Sequence, residues 1–444
     1  MITQTEYQQR RQHLMAQLPQ GSVVVIASAD LMQKGNGTEA PFTQHSDFLY
    51  LTGFNEPNAW LVLSHVPTSA ANENSLNHAS TLFCQPKDKL AEIWNGRRLG
   101  EAQAVSALLM DEAHSIDTLD KQLPELLNGF KHVYFLLGSN EQKEAKLMQA
   151  LQLLRKAPKQ SKLAPAAVVD LATVLHEMRL IKSPAEIAVM KHAAEMSCRA
   201  HCRAMRFVEE GVYEYQLEAE IHHEFAMAGA RLPAYGTIVG AGENACILHY
   251  TDNESAVKNG DLVLIDAGAH YQGYAADITR TFPVSGQFSE TQKSLYNLVL
   301  DAQLQALELL VPGSTFKAAM DKAVEVICQG LIERSILTGT LEDNLKDATW
   351  RQYFMHGLGH WLGMNVHDVG MYKINDEDRP FEPGMVLTIE PGIYIDASAD
   401  VDPKWKGIGI RIEDNVVITE NGHDVITAAA PKTVEDIEAL MAGA

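Results

Sequence analysis

Cysteine is scarce: Cys84, Cys198, Cys202, Cys246 and Cys328 are the five in 444 residues. The number is odd and no CxxC pair occurs. Both facts argue against a disulfide framework and against a thiolate zinc site of that type. Cys198 and Cys202, four apart in a helical stretch, read as small apolar groups. No run approaches the roughly 18 apolar residues needed to span a bilayer. The first segment, Met1 to Leu18, is polar and glutamine-rich and lacks the apolar centre of a signal peptide. The expected compartment is the cytoplasm. Positive charge is also short. Lys and Arg number 36 against 57 Asp and Glu, a formal net charge of −21. Such a chain is repelled by nucleic acids and anionic membrane surfaces, so neither is an expected partner.

Several catalytic signatures are missing as well. There is no GxxxxGK[ST] loop, no GxGxxG after a strand and no GxSxG elbow, which argues against phosphate-loop, dinucleotide-binding and α/β-hydrolase chemistry. His176-Glu177 and His223-Glu224 lack the second histidine of HExxH. The His222-His223 pair reads as helix surface. No internal repeat or low-complexity segment is visible.

What remains is an ordinary globular balance, 46% apolar and 21% charged, in a length that suits two or three domains. Ser22–Ala27, Leu61–Val66 and Thr81–Cys84 read as strands, with an exposed polar loop at Ser69–Ser80. Residues 101–128 and 141–156 have helical spacing, and Tyr134–Leu137 is a short strand. This alternation predicts an α/β domain over 1–175. Arg155–Pro165 is basic and proline-containing and reads as a connection, followed by a helix at Leu171–Leu180. Ser183-Pro184-Ala185-Glu186 then carries an N-cap, a proline at the first position and a capping-box glutamate. The second domain, 176–444, has predicted helices at 184–209, 213–229 and 289–310. Leu217, Ile221, Phe225 and Ala228 share one helix face. Strands are predicted at 261–268, 275–282, 385–390 and 408–418. Partial segregation of strands from helices predicts α+β.

The chemistry lies in charged residues set inside apolar strands. Asp266 follows Leu262-Val-Leu-Ile, and Asp277 sits in Ala275-Ala-Asp-Ile-Thr-Arg-Thr-Phe282. A carboxylate there is costly to bury unless paired or metal-bound. A turn at Tyr271-Gln272-Gly273 would set the two aspartates opposite each other, Cβ atoms ~5 Å apart. The same pattern also suits two strand-end turn aspartates. His356, His360 and His367 fall in one glycine-rich stretch, Met355-His-Gly-Leu-Gly-His-Trp-Leu-Gly-Met-Asn-Val-His-Asp368, which suits ligands or proton carriers. Glu390 ends an apolar strand before Pro391-Gly392. In Gly409-Ile-Arg-Ile-Glu-Asp414, alternation puts Arg411 and Glu413 on one face and Ile410 and Ile412 on the other. On its own that polar face could equally be exposed. Together, four carboxylates and one imidazole suit two cations ~3.5–4 Å apart with a bridging water. Oxygen-rich ligation with one histidine favours Mn(II) or Co(II) over thiolate-type zinc.

The order Asp266, Asp277, His360, Glu390, Glu413 resembles the dinuclear site of the pita-bread metallopeptidases, a family that includes methionine aminopeptidase, prolidase, creatinase and aminopeptidase P. The strings ILHYT (247–251), LIDAG (264–268), GYAADITRTFP (273–283), HGLGHWLG (356–363), VHDVG (366–370), TIEPGIY (388–394) and GIRIEDN (409–415) carry it. In the first half, SDFLYLTGFNEP (46–57) and IWNGRRLG (93–100) resemble the aminopeptidase P branch. Methionine aminopeptidases lack that first domain, and creatinase-type members lack the ligands. Prolidases share the ligands.

The resemblance implies an α/β N-terminal domain ahead of a C-terminal α+β pita-bread (creatinase/aminopeptidase) domain. It implies hydrolysis that releases the N-terminal residue from peptides with proline second. It implies two divalent ions, Mn(II) by expectation with Co(II) or Zn(II) as alternatives, held by Asp266, Asp277, His360, Glu390 and Glu413. His249 and His367 would meet the scissile carbonyl or the developing charge, and His356 would line the proline pocket. Glu390 would shuttle the proton, and Arg411 would orient ligand carboxylates. Asp47, Trp94 and Tyr235 would touch substrate, the first two from N-terminal domains, including that of a neighbouring subunit. A homodimer or homotetramer is expected.

Overall fold

The computed structural model describes residues 1–65 and 78–443. The chain divides into two units, Ile2–Arg179 and Leu180–Ala444.

The first unit is built on a six-stranded sheet. Its order is Glu112–Ser115, His78–Cys84, Trp60–His65, Ser22–Ala27, His132–Phe135, Ala167–Asp170. Trp60–His65 runs antiparallel to both neighbours, and the remaining pairings are parallel. SVVVIA is buried along its whole length, the burial expected of a central strand covered on both faces. Leu119, Leu123 and Leu127 of one helix and Leu147, Leu151 and Leu154 of another pack on this sheet. The stretch 101–128 is not one helical run. Two helices, Glu101–Ala107 and Leu119–Leu127, flank the edge strand Glu112–Ser115. Sheet pairing to His78–Cys84 overrides the local spacing there. The strand Ala167–Asp170 follows the basic connection and was not foreseen. Of the loop expected at 69–80, residues 69–77 lie outside the described residues, and 78–80 begin the strand His78–Cys84.

The second unit opens with the helix Pro184–Phe207, and Ser183 and Glu186 form the expected capping box. The helix Glu214–Met227 buries Leu217, Ile221 and Phe225, with Ala228 partly buried beside them. Glu290–Leu307 is followed by a further helix, Phe316–Glu333, that the sequence reading passed over. Its signal was present: Ala319, Ala323, Ile327 and Leu331 repeat every four residues and are all buried. No helix among the described residues is long and apolar enough to cross a membrane.

The four strands expected in this unit exist as two long hairpins, each broken in the middle. One runs Leu262–Asp266, Ala269–Tyr271, then back through Tyr274–Ala275 and Thr279–Pro283. The other runs Val386–Ile389, Gly392–Ile395, then back through Ile408–Arg411 and Asp414–Thr419. The expected register of the first hairpin is wrong. Asp266 faces Thr279, and Tyr271 faces Tyr274. The turn is the two-residue Gln272-Gly273, with φ of 49° and 87°. Positive φ at both central residues is the turn that matches strand twist. It centres the hairpin between Gln272 and Gly273, one residue later than the midpoint of Asp266 and Asp277, so Asp277 lies opposite Gly268 rather than Asp266. A Cβ at Gly268 would sit 1.7 Å from the Ala276 carbonyl oxygen, so only glycine allows this approach.

Candidate active site

The side chains that suggested metal chemistry cluster where these hairpins are interrupted. Asp266 ends one strand, and Asp277 precedes Thr279 on the returning one. Ile389 pairs with Asp414 and Gly392 with Arg411, so the same register puts Glu390 opposite Glu413 at the gap between those pairs. His360 comes from a segment laid along Val386–Ile389. Thr388 N–H donates to His360 O (2.9 Å), Glu390 N–H to Leu358 O (2.8 Å) and Leu362 N–H to Val386 O (2.9 Å). Gly359 permits that approach: a Cβ there would lie 1.9 Å from Thr388 O.

Asp277, His360 and Glu413 each offer a ligand atom, all within 4.8 Å of one another. His360 Nε2 is 3.3 Å from Asp277 Oδ2 and 3.5 Å from Glu390 Oε1. Its Nδ1–H donates to Trp361 O at 3.0 Å, which leaves Nε2 as the ligand nitrogen. Thr279 Oγ1 donates to Glu413 Oε2 (2.7 Å), and Thr388 Oγ1 to Glu390 Oε1 (3.3 Å). The Asn415 amide grips Asp277 from behind, accepting its N–H at 3.0 Å and donating to its carbonyl.

Arg411 is not on an exposed face. It is buried, and its guanidinium donates to Asp266 Oδ2 (2.7 Å), Thr279 Oγ1 (3.0 Å) and the Tyr394 hydroxyl (2.9 Å). Tyr394 in turn lies 2.8 Å from His356 Nε2, while His356 Nδ1 lies 2.8 Å from Gly357 O. The proton inventory has one solution that satisfies every group: Nδ1–H to the carbonyl, and Tyr394 O–H to Nε2. Burial lowers the His356 pKa to about 4, with Arg411 adding to the effect, which keeps the ring neutral.

Too much negative charge is packed here for these groups alone. Burial, reinforced by Asp266, pushes Asp277 up to about 6. Burial and Asp277 outweigh His360 and push Glu390 up to about 7. Burial and the neighbouring carboxylates raise Glu413 well above the usual range. Burial alone would lower His360, yet Asp277 and Glu390 raise it to about 9. Four carboxylates and an imidazole nitrogen fit hard divalent cations, which would supply the missing positive charge.

The remaining expected residues fall in different places. His367 is exposed, its ring edge-on to His360 with centroids 4.4 Å apart. His249 is exposed on the loop after Gly242–Cys246, close enough to lower the pKa of both His356 and His367 electrostatically. The Tyr235 hydroxyl sits between the two aspartates, 2.6 Å from Asp266 Oδ1 and 2.5 Å from Asp277 Oδ1. Asp47 and Trp94 belong to the first unit. Asp47 is buried, with Oδ1 2.6 Å from Arg179 Nη1 and Oδ2 3.1 Å from His176 Nε2. Burial would raise its pKa, but His176 and Arg179 hold it well below the carboxylate range. Trp94 is 80% exposed on the short helix Lys89–Asn95.

Sequence reasoning gave no role to Tyr394, Thr279, Thr388 or Asn415. A signal existed for each. Thr279 is two residues from Asp277, Thr388 two from Glu390, Asn415 two from Glu413 and Tyr394 four from Glu390, the spacing of one strand face.

Comparison with known proteins identifies the family. Residues 188–420 match metallopeptidase family M24, and residues 7–134 match the aminopeptidase P N-terminal domain. The Xaa-Pro aminopeptidase of Escherichia coli (strain K12) is 47% identical over 443 residues, covering 100% of this chain and 99% of that protein. The zinc-substituted E. coli aminopeptidase P in complex with product superposes with a TM-score of 0.96 at 47% identity, covering 100% and 99%. Proline aminopeptidase P II from Yersinia pestis gives 0.96 at 48% identity, with 100% of both chains covered. With both domains present along one chain, the protein belongs to metallopeptidase family M24, in its aminopeptidase P branch.

Proposed function

We propose that this Xaa-Pro aminopeptidase, which hydrolyses the bond before a second-position proline, is dinuclear, with Mn(II) as the working ion and Co(II) or Zn(II) as alternatives. The observation that carries this reading is the convergence of Asp266, Asp277, His360, Glu390 and Glu413 at the gaps of two hairpins. Asp266, Asp277, His360, Glu390 and Glu413 would hold the ions. When bound, the ions supply a water of lowered pKa and a Lewis acid for the scissile carbonyl.

The protein groups do the rest. Arg411 orients Asp266 through a charge-assisted hydrogen bond and leaves its other oxygen to the Tyr235 hydroxyl. The proline nitrogen, which carries no hydrogen in the Xaa-Pro bond, must like any amide nitrogen gain a proton to leave as an amine. Glu390 is assigned this shuttle: its carboxylate borders the ion site, with Oε1 3.5 Å from His360 Nε2 and accepting from Thr388 Oγ1 at 3.3 Å. His356, neutral and fixed by Gly357 O and Tyr394, offers a flat ring to the proline side. His249 and His367, both exposed beside this cluster, are assigned to the scissile carbonyl. The cytoplasm is the proposed compartment.

Prolidase, which takes Xaa-Pro dipeptides, is the neighbouring activity. The N-terminal domain match favours the aminopeptidase. The test is a rate profile over Xaa-Pro, Xaa-Pro-Xaa and Xaa-Ala-Xaa peptides, before chelation, after it and after Mn(II) is restored. Tripeptides with proline should be preferred, and activity should vanish and return. Indifference to chelation would sink the metal reading, and dipeptide preference the substrate reading.

A further inference from the structure

The helix Glu290–Leu307 turns an apolar stripe toward the core through Leu295, Val299, Ala302 and Ala306, and one polar residue interrupts it. Gln303 is 0% exposed. An amide in that position is costly unless its hydrogen bonds are made, and here they are. Gln303 Nε2 lies 3.2 Å from Ile389 O, 3.1 Å from Ile412 O and 3.1 Å from Asp414 Oδ2. Its two hydrogens are shared among those three acceptors. Its Oε1 accepts from Lys432 Nζ at 2.9 Å, and that ammonium also reaches Asp414 Oδ2 at 2.6 Å. The Lys432 charge therefore selects the orientation of the amide, with nitrogen toward the carbonyls.

The positions of those carbonyls matter more than their number. Ile389 and Ile412 are the residues immediately before Glu390 and Glu413. The strand ladder stops between the pairs Ile389–Asp414 and Gly392–Arg411, so main-chain pairing is interrupted where the two glutamates project. Gln303 spans that interruption from a separate helix. Behind it the frame is stiff. Arg280 donates to Glu413 O at 2.6 Å and to Asp414 Oδ1 at 2.8 Å, both side chains fully buried, and Thr427 Oγ1 donates to the same Oδ1 at 2.7 Å.

We infer that Gln303 is a positioning residue for the metal centre: it sets the separation of the strand ends that carry Glu390 and Glu413, and Lys432 holds its amide in the working orientation. The inference rests on the dinuclear reading of those glutamates. A purely structural amide would stabilise the fold without touching metal affinity, which separates the two roles.

The experiment is calorimetric titration of the chelated full-length protein with Mn(II), for the parent and for Gln303→Met, which keeps the length and loses the amide. Outer partners of ligands typically alter affinity 10–100-fold. The Mn(II) Kd of Gln303→Met should rise about tenfold or more, with kcat lowered and KM for an Xaa-Pro-Xaa peptide unchanged at saturating Mn(II). A parental Kd overturns the inference, even where thermal stability has fallen. Should that variant fail to fold, Lys432→Met, which frees the amide to flip, must raise the Kd. A parental Kd there overturns it equally. The parental titration separately counts the ions. Fewer than two would refute the dinuclear reading, while the Kd comparison would still decide on Gln303.

Discussion

Gly268→Ala isolates the geometric demand of the first hairpin. The added Cβ would lie 1.7 Å from Ala276 O, 2.4 Å from Ala276 C and 2.9 Å from Asp277 N. All three are main-chain atoms, so no rotamer relieves the contact. Real Cβ contacts stay above 3.0 Å, so the strands must part by about 1.3 Å. Two hydrogen bonds flank the site, Ala267 N–H to Ile278 O and Ala276 N–H to Ala269 O, each 3.0 Å. Parting by that amount takes both beyond hydrogen-bonding range. Losing two buried main-chain bonds costs about 2–5 kcal/mol. Asp277 follows the displaced peptide directly, and a misplacement of ~1 Å at a reacting centre can cost about 100-fold in rate. Urea unfolding of the chelated protein reads the first effect, and kcat at saturating Mn(II) reads the second. Gly35→Ala, at a position with nothing within 4 Å, is the control and should change neither. A Gly268→Ala protein matching its parent in both assays would refute the claim that this contact positions Asp277.

Two further predictions concern charge. In the chelated protein Asp277, Glu390, Glu413 and His360 all have raised pKa values. A raised folded-state pKa means the folded state binds more protons, so the stability it contributes is present at low pH and lost as pH rises through the folded value. Between about pH 6.5 and pH 8, above the unfolded pKa of histidines such as His356 that burial lowers, the metal-free protein should therefore lose thermal stability as Glu390 gives up its proton near 7 and the contribution of His360 begins to fade. Saturating Mn(II) should abolish or reverse that slope, and a calorimetric Tm series with and without chelator measures it. A metal-free Tm that climbs over this range would contradict the charge-excess argument. In the first unit Asp47 has a depressed pKa, so its contribution is full above pH ~4, the unfolded value, and fades as pH falls below it. Asp47→Asn removes the anionic partner that the buried Arg179 guanidinium meets at 2.6 Å and should cost about 3–5 kcal/mol in urea unfolding at pH 7. A loss below about 1 kcal/mol would mean the pair is not what holds that contact.

The identities of the chemistry-bearing residues were legible in the chain because burying a carboxylate demands compensation. Asp266, Asp277, Glu390 and Glu413 stand out against aliphatic strands, His360 stands out among glycines, and the geometry brings all five together. Helix starts were legible for a similar local reason: the Ser183 and Glu186 side chains satisfy amides three residues away. The register between Asp266 and Asp277 was not. Where the turn is centred depends on φ at Gln272 and Gly273, and that choice slides every partner on the opposite strand.

The sequence by itself determined which residue types could meet a metal and which strand face they occupy, since alternation is a property of the backbone. Only the tertiary structure decided that the strands break at Glu390 and Glu413, that Gln303 bridges the break from a helix 86 and 109 residues away from the two carbonyls it meets, and that Asp47 is locked to Arg179. Those contacts join segments far apart in sequence. They form only because the folded core excludes water and leaves each buried polar group to find its partner.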